Sequence, residues 1–121
     1  MANPNQVVGQ ATIKVDGDTL ETKAGATLEL GGPVRTAQRG DYQAGAFSEE
    51  TVESKLTCTL LVKRNTRITN LREIDNATVT FNADTGQVFI MRQAYCADNI
   101  SLAAAGEGAS VVFQGPPAQE L

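Results

Sequence analysis

Cys58 and Cys96 are the strongest nucleophiles the chain could offer to chemistry, and it has no histidine to activate them. A thiol attacks only as its thiolate, which needs a base or a positive neighbour. Cys58 lies in Lys55-Leu56-Thr57-Cys58-Thr59-Leu60, on the apolar side of an alternating run with no base nearby in sequence. The two thiols could close one disulfide within the chain, pair between chains, or stay as buried reduced side chains. A reducing compartment favours the last. Without His they cannot complete a typical structural zinc site. The same absence removes Ser-His-Asp, Cys-His and HExxH arrangements, and there is no P-loop or GxGxxG. No catalytic residue, metal site or cofactor is expected.

The charged candidates do not converge. Glu49 and Glu50 are adjacent, so on a strand they point to opposite faces. Asp16 and Asp18 flank Gly17, which reads as a hairpin turn, because the other oxygen ligands of a calcium loop are missing. Asn76-Ala77-Thr78 and Asn99-Ile100-Ser101 match the glycosylation triplet without a secretory signal beside them. Arg35 and Arg39 could hold an anion, but pairing with an acidic neighbouring subunit fits them better.

At 121 residues the chain has the length of one domain. Ten Lys and Arg against 14 Asp and Glu give a formal charge of −4. That argues against a nucleic-acid clamp and against docking on anionic membrane. No apolar run reaches the roughly 18 residues of a membrane-spanning helix. The start, MANPNQVVGQ, has neither the basic nor the apolar region of a signal peptide, so the protein is expected to stay in the cytoplasm until assembly.

These residues must be positioned by strands. Residues 1–8 read as a flexible arm. Gln10–Val15 and Thr19–Lys23 flank Asp16-Gly17-Asp18 as a hairpin, and Ala26–Leu30 alternates with period two. Residues 31–47 show no periodicity over most of their length. A loop longer than about 12 to 15 residues is usually functional or disordered. Val34, Tyr42 and Phe47 make it an arm that orders against a neighbouring subunit. From Glu49 to Lys63 the odd positions are mostly polar and the even ones become apolar from Val52, which predicts one long strand with a wet face. Thr66–Ile74 reads as a short helix that Asn65 or Thr66 caps, burying Ile68, Leu71 and Ile74. Asn76–Ala83, Gln87–Gln93, Tyr95–Leu102 and Ala109–Gln114 complete about seven strands, with residues 117–121 as a loose tail. The predicted fold is mainly β: an antiparallel sandwich or partly closed barrel with one short helix, its domain spanning 9–116.

The order of these elements resembles the tail tube proteins of Mu-like contractile-tailed phages. The resemblance is carried by GQATIKVDGDTLE, LELGGPVRTAQRGDYQAG, ITNLREIDNATVTF, TGQVFIMRQAYC and VVFQGP. Val34, Arg35 and Gly40 occupy the places of a V-x-R-x₄-G stretch, here shortened to V-R-x₄-G, and Phe113, Gly115 and Pro116 those of an F-x-G-P-like ending. Pyocin and type VI secretion tubes are related. The resemblance implies hexameric rings that stack helically, with inner strands joined into one barrel around a lumen for DNA and the tape-measure protein, inside a contractile sheath. It implies a virion component, assembled in the bacterial host cytoplasm. The wet face of Thr27, Glu29, Thr51, Glu53, Lys55, Thr57 and Thr59 would then line the lumen. Val34, Arg35, Arg39, Asp41, Tyr42 and Phe47 would make contacts between subunits or rings. The alternative is a monomeric β-sandwich that binds carbohydrate or a surface partner.

Overall fold

A computed structural model describes residues 3–121. Residues 1 and 2 of the expected N-terminal arm lie outside the described residues. The chain runs β1 (Ala11–Val15), β2 (Asp18–Leu20), β3 (Thr27–Glu29), β4 (Gly32–Gln38), β5 (Ala46–Val52) and β6 (Ser54–Leu60). It continues with α1 (Ile68–Arg72), β7 (Ala77–Ala83), β8 (Val88–Ala103), β9 (Gly108–Gly115) and β10 (Gln119–Glu120). Among the described residues every strand pairing is antiparallel: the main ladder runs β2-β1-β7-β8-β9-β6-β3, β10 joins β8, and β4-β5 form a separate ribbon.

β8 is the corner of the fold. Its first part, Val88–Ala94, pairs with β7, and its second, Tyr95–Ala103, pairs with β9. The sequence pattern predicts two strands here. The chain instead turns the corner without leaving the ladder, using left-handed residues at Gln93 (φ 54°) and Asp98 (φ 58°) and a register shift between Ala97 and Ser101. Such bends let one strand serve two crossed layers. The ladder then curls back on itself. Thr22 bridges Leu60, with Lys23 N–H on Thr59 O at 2.8 Å and Leu61 N–H on Glu21 O at 2.9 Å. The result is a sandwich that approaches a barrel without full closure, as expected.

The core lies between the layers. Ile13, Val79, Met91, Leu56, Leu60, Val111 and Phe113 are all fully buried. Ile68, Leu71 and Ile74 cover one end of it, as their spacing predicts. The helix is shorter than expected and begins at Arg67 without a side-chain cap; Thr66 Oγ1 instead accepts from Lys63 N–H at 3.0 Å. The helix packs on β8, where Ile74 O takes the Cys96 N–H at 2.9 Å.

Three further expectations change. Residues 31–47 are not an irregular loop: β4 and the start of β5 pair over Gly32↔Val52 to Gln38↔Ala46. Both faces of this ribbon are largely exposed, so no buried face imprinted a period of two on its sequence. The run Glu49–Lys63 is two strands, broken at Glu53, and Leu61–Lys63 have already left the sheet. The tail is not loose: Gln119 and Glu120 pair with Ile90 and Phe89, and Ala118 N–H reaches Leu30 O at 2.8 Å.

Phe113 is the largest fully buried side chain. Phe113→Ala is expected to lower stability by about 3–5 kcal/mol, read from the urea unfolding midpoint at unchanged slope.

Candidate functional site: a wet sheet face and a projecting hairpin

β6 alternates cleanly: Ser54, Leu56, Cys58 and Leu60 are buried, while Lys55, Thr57 and Thr59 are half-buried on the other side. Direct cross-strand partners share a face, so the register assembles the outer surface row by row. One row is Glu29, Lys55, Gln114 and Tyr95, the next is Thr27, Thr57, Val112 and Ala97, and the third is Thr59, Ser110 and Ser101. The structure therefore brings Thr27, Glu29, Lys55, Thr57 and Thr59 together on one hydroxyl-rich face. Glu29 stands opposite Lys55, yet the two form no ion pair. Tyr95 Oη donates to Gln114 Oε1 at 3.4 Å. Thr51 sits apart on β5, opposite Pro33, and Glu53 sits exposed at the strand break. Sequence reading missed Ser110 and Gln114, although β9 alternates as plainly as β6, with Ala109, Val111 and Phe113 turned inward.

The β4-β5 hairpin leaves this sheet through a tight root. A Cβ on Gly31 (φ 76°) would lie 2.7 Å from the Glu53 carbonyl carbon and the Ser54 nitrogen. Only glycine allows that approach at that φ. Ser54, the one buried polar residue among those described, donates from Oγ to Pro116 O at 2.7 Å and to Gly115 O at 3.2 Å. Gly31-Gly32 at the start of β4 and Gly115-Pro116 at the end of β9 thus meet beside Ser54. Beyond it β4 and β5 pack extensively only on each other. Arg35 does not wait for an acidic neighbouring subunit: its Nε lies 2.9 Å from Glu49 Oε1, and its guanidinium sits 5.9 Å from the Phe47 ring centroid. Val34 and Phe47 stay exposed, and Tyr42 at the tip is wholly so, beside Arg39 and Asp41.

Cys58 and Cys96 are free thiols. Both belong to the inner face, but β9 runs between their strands. Two strand spacings are roughly 9–10 Å, beyond the reach of a disulfide. Burial, and then the nearby Cys96, push the Cys58 thiol up to about 11. Burial, then Asp98, raise Cys96 as well. Both shifts oppose thiolate chemistry. No cluster of metal-binding side chains occurs among the described residues, and no helix there is long and apolar enough to cross a membrane.

Residues 4–120 match the phage tail tube protein family. The chain belongs to that family. It is 33% identical over 102 residues to the Mu-like prophage FluMu tail tube protein of Haemophilus influenzae, covering 84% of this chain and 86% of that relative. Family membership makes this a structural protein of phage tails, as the order of its motifs led one to expect.

Gly31→Ala is expected to cost at least about 1 kcal/mol, because alanine must adopt a left-handed backbone against a neighbouring chain. Urea unfolding measures it. In the folded protein at pH 8, Cys58 is expected to resist alkylation that it undergoes in urea. Ionisation above the ordinary value of 9.0 is open to the unfolded chain but deferred to about 11 in the folded one. Stability is therefore whole below pH 9 and falls as pH rises towards 11, which thermal melts across that range would show.

Proposed function

We propose that this chain is the repeating subunit of a tail tube, stacked as hexameric rings around a lumen that passes DNA. The observation that carries this is a four-stranded sheet, β8-β9-β6-β3, with one polar face and two outer edges. Among the described residues β3 pairs only with β6. The Cys96–Ala103 stretch of β8 pairs only with β9, apart from the single bond to the helix end. Open edges invite strand pairing with another chain, and closing them into a ring removes that liability.

In such a ring the face of Thr27, Glu29, Lys55, Thr57 and Thr59 turns to the lumen, with Thr51 and Glu53 towards one rim. One acid and one base among hydroxyls give DNA no patch of positive charge to grip. Passage without sequence-specific binding follows, for DNA and for a tape-measure protein alike. The opposite, outer side is left for a sheath. The hairpin, with Val34, Arg35, Arg39, Asp41, Tyr42 and Phe47, reaches the next ring. A two-stranded ribbon is marginal by itself in water, so a partner that buries it is the natural stabiliser. The role is structural and involves no catalysis, and assembly takes place in the host cytoplasm.

Negative-stain microscopy of the purified chain at high concentration is expected to show rings and tubes. A strictly monomeric protein that binds glycans would instead support the binding-module reading. Replacing residues 33–51 by a two-residue link between Gly32 and Val52 is expected to leave a folded domain that no longer forms long tubes. Long tubes from that variant would remove the hairpin from the stacking role.

A further inference from the structure

The start of β8 reads Val88-Phe89-Ile90-Met91, apolar on both faces, uncharged and made of residues that suit a strand. β7 covers one edge of it, setting Asn82, Phe81, Thr80 and Val79 opposite Val88, Phe89, Ile90 and Met91. An apolar strand whose second edge is bare is a template for pairing with another chain, and so for aggregation.

That second edge is covered by the segment after β9. Tyr95 pairs with Gln114; an equal number of residues back along β8 and onward from β9, Ile90 pairs with Gln119 and Phe89 with Glu120. β10 therefore continues along β8 in the register that the end of β9 sets. Leu121 N–H extends the cover by donating to Val88 O at 2.9 Å. The segment is also tied at its start, where Ala118 N–H donates to Leu30 O at 2.8 Å and half-buried Ala118 packs against the core.

The cover does not itself become an edge of the same kind. β10 has 2 residues, Gln119 and Glu120, both polar and exposed. Pro116 and Pro117, which have no N–H to offer, precede it beside Arg92 and Gln93. Short length, charge and proline are the features that blunt a strand edge. The edges left open elsewhere are more polar: β3 is Thr27-Leu28-Glu29, and the outer stretch of β8 carries Asp98, Asn99 and Ser101.

We propose that residues 118–121 are a guard that keeps the apolar edge at residues 88–91 from pairing with a second copy of this chain. On the tube reading above, the guard leaves self-association to β3 and the outer stretch of β8, so that copies join through one pair of edges.

The test deletes residues 118–121 and verifies folding by thermal melts. Without the guard, the chain is expected to form irregular aggregates that bind thioflavin at a protein concentration roughly tenfold lower than the unaltered chain does. Adding Ile90→Lys to the deletion puts a charge on the bare strand and is expected to suppress them. Ile90 is half-buried and lies outside the buried cluster among the described residues. Asn70→Lys, on the exposed side of the helix, adds the same charge away from the edge and is expected to leave the aggregates in place. Should the deletion not fold, Leu121→Pro, which removes only the donor to Val88 O, is read in the same way. A guardless chain that associates no more readily than the unaltered one overturns the proposal. So do aggregates that both lysines relieve, or that neither does. If the unaltered chain forms no tubes, the tube reading fails, while the comparison among variants still decides the guard.

Discussion

The contact on which the rest depends is the approach of Gly31 to the peptide joining Glu53 and Ser54. No side chain fits there. Because the backbones touch, β5 cannot run straight into β6, and the chain breaks at Glu53. The buried Ser54 hydroxyl then ties the same point to the carbonyls at Gly115 and Pro116. Three distant stretches of sequence are thereby locked together, with Leu30 accepting from Ala118 alongside. The lock does two things at once. It holds β6 and β9 in the register that gathers the polar face, and it fixes the direction in which an otherwise unsupported hairpin leaves the domain.

Those consequences separate the molecule into a part held by its own core and a part that is not. The sandwich buries Ile13, Leu56, Val79, Met91 and Phe113. The hairpin has an ion pair, a ring contact and its ladder, all close to water. Exposed pairs of that kind add little stability. A domain that spends residues on such a ribbon while leaving a strand edge open is built for contact with other chains. Membership of the phage tail tube protein family gives that architecture its setting.

How much of this could be read from the residues follows from where water lies. β6 has one wet and one dry face, so Thr57 and Thr59 against Leu56, Cys58 and Leu60 announced both the strand and its orientation. β7 and the helix were legible for the same reason, through Val79 and through Ile68 and Leu71. β4 was illegible because both its faces are wet, and alternation is a mark left by burial. The continuous β8 was hidden by Gln93, whose left-handed backbone looks like a strand end in sequence but is a corner in space. Gly31 and Gly115 were visible as parts of motifs, yet nothing local says that they meet. The family itself was legible, because order and spacing of weak signals survive where single residues do not decide.

The central claim is that the β3-β6-β9 face turns inward in a shared barrel. A three-dimensional cryo-electron reconstruction of tubes grown from the purified chain tests it most directly. The account predicts that Thr57 and Thr59 line the lumen and that β3 of one copy pairs with the outer stretch of β8 in the next. A tube in which those threonines face outward, or in which the two edges stay apart, would contradict it.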